Sequence, residues 1–148
     1  MALTATIKPM IVSTKGRYAL RVMLCLAKRG GEEHVPLKEI AESESISQKY
    51  LESIMTILSK ANFVDAIRGK GGGYRLNRKP EDYTVGSILK LTEGSLNAVS
   101  CTSEGPSACN CTYCCQTRPM WERLDQMINE FFEGITLADL LRDGGVGL

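Results

Sequence analysis

From Ser13 onward, apolar and polar positions alternate with a helical period. Ala19, Val22, Met23, Leu26 and Ala27 recur at three- and four-residue spacing, which predicts a first helix. Ser13 or Thr14 is placed to cap it, and Gly30-Gly31 to end it. Pro36 suits the first turn of a short second helix with Leu37, Ile40 and Ala41 on one face. After the tight connection SESIS, Ser47 can cap a third helix whose Leu51, Ile54, Leu58 and Ala61 share a side. The period then changes, and VDAIRGKGGGYRL reads as strand, glycine-rich turn, strand. Thr84 to Leu91 predicts a short helix closed by Gly94, whereas Ser95 to Thr117 shows no period. Pro119 opens a long helix through about Glu133, with Trp121, Leu124, Ile128, Phe131 and Phe132 along one side. A last short helix, ITLADLL, has Thr136 and Asp139 spaced as a capping box.

Helix, helix, tight turn, helix and hairpin, in that order, predict a mainly α fold with a small β-hairpin wing. This is a winged helix-turn-helix followed by a long C-terminal dimerisation helix. Three regions are expected: residues 1–80 as the DNA-binding winged helix, 81–117 as a short helix and a cysteine-rich loop, and 118–148 as the dimerisation helix and a final short helix. In such a fold the start of the third helix brings Ser47, Gln48, Lys49, Tyr50 and Glu52 towards base edges. The glycine turn carries Arg68, Lys70 and Gly71, with Arg75 just after it, to the backbone or the minor groove. The turn is not a phosphate-binding loop of nucleotide enzymes: Gly71 follows Lys70 where a Ser or Thr is required, and Tyr74 stands where a dinucleotide fingerprint needs its third glycine.

Charge sharpens the division between the regions. Met1 to Pro80 holds 14 Lys and Arg against 7 Asp and Glu, whereas Glu81 to Leu148 holds 4 against 10. A polyanion partner is thus expected for the first part only. The start MALTATIKPM has no apolar signal core, and no stretch approaches a membrane span, so a cytoplasmic protein without a membrane partner is expected. The two phenylalanines side by side in the long helix exceed what a compact winged helix can bury, which favours a homodimer built on that helix.

Five of the six cysteines fall within CTSEGPSACNCTYCC, Cys101 to Cys115. In a reducing cytosol disulfides are the weaker reading. Ordering about twenty loop residues costs roughly 1–2 kcal/mol each, and the few apolar residues there cannot offset that. Thiolate–metal bonds supply on the order of 10 kcal/mol or more. Soft thiolates select an iron–sulfur cluster, zinc or copper(I), and C-x-C with C-x-x-C keeps zinc open. Cys25 reads as a small buried apolar residue, and His34, the only histidine, as a solvated loop residue and not a ligand.

The segments STKGRYALRVMLCLA, PLKEIAESESISQKYLESIMTILSKANFV, IRGKGGGYRL and ITLADLL together resemble the Rrf family of bacterial winged-helix regulators, from about Ile11 to Leu141. The resemblance implies a homodimer on an inverted-repeat promoter site in double-stranded DNA, with Arg68 as the minor-groove arginine. It also implies three cluster ligands at Cys101, Cys109 and Cys115, holding an iron–sulfur cluster expected as [2Fe-2S], with [4Fe-4S] and zinc as alternatives. The fourth ligand of one cluster-binding branch is a histidine, and this chain has Arg118 there, which stays protonated and cannot ligate. The nitric-oxide-sensing branch uses an aspartate from the other subunit, and the matching position is Arg17. Cys111 and Cys114 are therefore the candidates for the missing ligand.

Taken together, the residues and the resemblance lead to a transcriptional regulator, not an enzyme, whose DNA binding is controlled by the cluster and whose targets are genes of cluster assembly or sulfur metabolism. The alternatives are a cluster-free regulator of cysteine metabolism, a nitric-oxide or redox sensor of the same fold, a zinc-stabilised regulator, and a small redox enzyme. The last lacks any nucleophile–base pair.

Overall fold

The computed structural model describes residues 12–103 and 115–145. Helix α1 (Thr14–Lys28) starts at Ser13, whose hydroxyl accepts from the Gly16 N–H, and stops where Arg29 caps it and Gly30 and Gly31 turn to positive φ. Helix α2 (Leu37–Glu44) begins one residue later than the pattern suggested. Pro36 is its N-cap, in extended backbone, instead of its first turn. Ser45 in the left-handed conformation ends α2. Helix α3 (Gln48–Lys60) follows, with the Ser47 hydroxyl accepting from the Tyr50 N–H.

Strands β1 (Val64–Ile67) and β2 (Gly73–Leu76) pair antiparallel, Val64 opposite Leu76 and Ile67 opposite Gly73. Val35, between α1 and α2, adds a bridge to Tyr74. The bridge explains the last glycine of the turn: a Cβ on Gly73 would run into the Val35 carbonyl. Gly71, by contrast, needs its freedom for φ +77°. A single 3-10 turn, Pro80–Asp82, leads to α4 (Val85–Glu93), capped by Thr84 and closed by Gly94.

Among its described residues the aperiodic stretch holds a short helix that the sequence does not announce, α5 (Ser100–Ser103). Helix α6 spans Arg118–Glu133, one residue earlier than Pro119 suggested, since Pro is accepted within the first turn. Helix α7 (Leu137–Asp143) carries the expected capping box between Thr136 and Asp139.

One core joins α1, α2, α3 and the hairpin to Tyr83, Ile88 and Leu137, so the later helices close the winged helix from behind. A second, smaller core holds Val85, Leu89, Leu96 and Ile135, against which Ile128 and Phe132 of α6 pack. Leu96 lies in the aperiodic stretch and is only 1% exposed, an anchor with no sequence period to reveal it. No helix among the described residues is long and apolar enough to cross a membrane.

Candidate nucleic-acid interface and thiol centre

The inner face of α3 is buried through Leu51, Ile54, Met55 and Leu58. Its outer face presents Ser47, Gln48, Lys49, Glu52 and Thr56, all exposed. Tyr50 departs from this set: it is half-buried and packs edge-on against Tyr18, ring centroids 5.8 Å apart, because position 50 of the helix turns towards α1. The wing tip leaves Arg68, Lys70 and Gly71 exposed beside Ile67, itself 54% exposed. Arg75 is not at the tip. It lies across the hairpin from Asp65, Nη2 to Oδ2 3.6 Å, with its Nε buried and without a hydrogen-bond partner among the described residues.

The wing is held at its base by Tyr83. Its fully buried phenol lies 2.9 Å from the Phe63 carbonyl and accepts from the N–H groups of Asn77 and Arg78. Burial pushes the phenol's pKa up, outweighing those two donors, which favour the phenolate. Arg78 stacks over Phe63 and Tyr83, 5.0 and 5.4 Å from the ring centroids. Thus the hairpin that carries Arg68 is fixed to the body by polar bonds and a cation on aromatic faces.

Of the six cysteines, Cys25, Cys101 and Cys115 lie among the described residues. Cys109, Cys111 and Cys114 lie outside them. Cys25 is buried in α1, its Sγ 3.4 Å from the Ser43 hydroxyl, as a small core residue should be. Cys101 and Cys115 are free thiols of intermediate exposure, and Arg118 at the head of α6 gathers them. Its Nη1 donates to the Cys101 carbonyl at 3.4 Å, and its own N–H to the Cys115 carbonyl at 3.3 Å. The Arg118 side chain also donates to Glu122 at 2.7 Å. The Thr117 hydroxyl and backbone, with the Arg118 charge behind them, hold the Cys115 thiol below its ordinary pKa, which favours the thiolate that binds metal. Two soft, partly exposed thiols beside a helix N-terminus suit a thiolate-held metal centre in donor chemistry. No cluster of three metal-ligating side chains forms among the described residues. His34, in the α1–α2 loop, has a buried Nε2 with no partner among the described residues.

Helix α6 carries two parallel apolar stripes offset by one residue. The inner one, Trp121, Ile128 and Phe132, is partly buried, and Ile128 and Phe132 pack on the second core. The outer one, Met120, Leu124, Met127 and Phe131, is 55, 37, 53 and 59% exposed. The five residues expected to form a dimer face are therefore split. Leu124 and Phe131 face out, while Ile128 and Phe132 pack against their own chain. Met120 and Met127 were missed, although their four- and three-residue spacing with Leu124 and Phe131 signals a stripe. The inner stripe also includes Asp125, which is 7% exposed and which the sequence reading passed over.

A winged helix-turn-helix with an exposed reading helix, a basic wing and a thiol pair at the root of a long helix defines a class of transcriptional regulators. A family profile, "Rrf2: Iron-dependent Transcriptional regulator", matches residues 12–143, and the chain belongs to this family. It is 39% identical over 137 residues to the HTH-type transcriptional regulator IscR of Aliivibrio salmonicida, covering 93% of this chain and 80% of that protein. The IscR of Photobacterium profundum is 38% identical, with 93% and 78% covered. Among solved structures, T. potens IscR superposes with a TM-score of 0.70 at 39% identity, covering 91% of this chain and 88% of that one. CymR, the global cysteine regulator of B. subtilis, superposes with 0.72 at 36%, covering 88% and 95%. These relatives are regulators, not enzymes, and this chain is an IscR-like transcriptional regulator.

Proposed function

We propose that this chain is a homodimeric regulator that binds an inverted-repeat promoter site and whose DNA binding follows the state of an iron–sulfur cluster held by its thiols. Gln48, Lys49 and Glu52 read base edges from α3, and Arg68 and Lys70 engage the minor groove and the backbone. Cys101 and Cys115, with Cys109 and either Cys111 or Cys114, hold the cluster, a [2Fe-2S] centre in this reading. When bound, the cluster supplies a redox- and iron-sensitive crosslink between α5, which carries Cys101, and the head of α6. The outer stripe of α6 joins the two protomers. Genes of cluster assembly or sulfur metabolism are the targets in this reading.

The observation that carries it is that Arg118 holds the carbonyls of both Cys101 and Cys115, 17 and 3 residues before it along the chain. Arg118 cannot itself ligate, and its hydrogen bonds give it a different task, to hold two ligand-bearing backbones together. Purification without oxygen tests the reading. Absorption between 300 and 600 nm with iron and sulfide in each chain supports it, and colourless, metal-free protein refutes it.

The likeness to CymR favours a second reading, a cluster-free regulator of cysteine metabolism. Colourless protein that still shifts promoter DNA would support that one.

A further inference from the structure

Asp125 occupies a place that the rest of α6 gives to apolar side chains, between Trp121 and Ile128 on the inner stripe. Its Oδ1 accepts from the Ala98 N–H at 2.7 Å, and Oδ2 is buried with no hydrogen-bond partner among the described residues. A half-satisfied buried carboxylate is costly, and an asparagine would offer Ala98 the same oxygen without a charge. Packing alone therefore does not account for it.

What Asp125 grips is the chain running into the thiol centre. Ala98 lies three residues before Cys101, and Asn97 Nδ2 donates to the Thr102 hydroxyl at 3.4 Å across the same turn. Arg118, seven residues before Asp125 and so on the same side of α6, holds the Cys101 carbonyl. The segment from Asn97 to Cys101 is thus fastened to α6 at two points two turns apart. The outer stripe that faces away from the chain rides on the same helix.

We propose that Asp125 is a positioning residue that makes the segment leading into Cys101 and helix α6 move as one body, so that a change at the thiol centre resets α6 and the DNA readers beyond it. This inference rests on the function proposed above.

Wild type, Asp125→Ala and Asp125→Asn are prepared without oxygen, each with its iron–sulfur centre and after stripping by chelator. The Kd of each form is measured on a duplex that the wild type selects from a random library, together with iron content and visible circular dichroism. Asp125→Ala is expected to load iron, to show an altered dichroism, and to lose about fivefold or more of the loaded-to-stripped affinity ratio. Asp125→Asn, which keeps the oxygen for Ala98, retains that ratio. A wild-type ratio in Asp125→Ala overturns the inference and leaves the proposed function standing. A wild-type chain whose affinity ignores its metal removes both. Should Asp125→Ala fail to load iron, alkylation of Cys101 in stripped protein decides: faster modification than in wild type and Asp125→Asn supports the tie, and equal rates overturn it.

Discussion

The hydroxyl of Tyr83 lies 2.9 Å from the carbonyl of Phe63, twenty residues earlier, and so pins the strand entering the wing to the chain leaving it. Tyr83 is completely buried. Tyr83→Phe leaves the Phe63 carbonyl and the Asn77 and Arg78 N–H groups without their partner, and should cost about 1–3 kcal/mol of stability in urea unfolding. The pKa shift adds a pH signature. A phenol raised in the folded state contributes stability that is full below its ordinary value of 10.0 and is lost as pH rises through the folded value. The wild type should therefore lose stability in that alkaline range, and Tyr83→Phe should show a flatter alkaline limb.

On the proposed function the reading surface should separate into residues that choose sequence and residues that supply attraction. Glu52→Ala should relax base preference at one position by about 1–3 kcal/mol. Arg68→Ala should weaken binding to all promoter sequences and lower the salt dependence of the affinity by about one phosphate contact. Fluorescence anisotropy on a panel of operators at several salt concentrations checks both. Tyr50→Phe, at a position that packs on Tyr18, should change the operator profile little.

Much of this arrangement is legible in the sequence because it is written in periods and caps. Ser47 and Thr136 are legible as caps in the sequence and cap their helices in the structure. The hairpin follows from its glycines. Tyr50 shows where a linear reading fails: it sits in the first turn of the reading helix, yet its side chain turns inward to meet Tyr18, and only the crossing of α1 and α3 decides that. The long helix fails in a second way. An apolar face wide enough for two stripes does not say which stripe belongs to the chain itself. That depends on where Val85, Leu89 and Leu96 arrive, and Leu96 comes from a segment without a period. Asp125 escaped because an acidic residue on an amphipathic helix ordinarily marks its wet side.

On the proposed function the thiols should divide by role. Cys101→Ser and Cys115→Ser should each remove most of the bound iron and the visible absorption, with folding of the winged helix intact by circular dichroism. Cys25→Ser, in the core of α1, should keep its iron and lose a modest amount of thermal stability. Equal iron retention in all three variants would contradict the assignment.

The outer stripe of α6 should hold the dimer together. Phe131→Asp places a charge where a side chain 59% exposed in the single chain would be covered by its partner. Sedimentation analysis should show a monomer with an unchanged helical spectrum, and promoter affinity should drop because two half-sites no longer bind as one unit. Phe132→Asp, at a position packed on the second core, should instead lower the melting temperature.

The central claim is that a sulfur-held metal centre governs DNA binding, and a titration tests it most directly. Promoter affinity is measured anaerobically on one preparation before and after its iron is removed, with thiols kept reduced. The account predicts a change of about fivefold or more in Kd, restored when iron and sulfide are returned. An identical Kd in the loaded and stripped protein would contradict it.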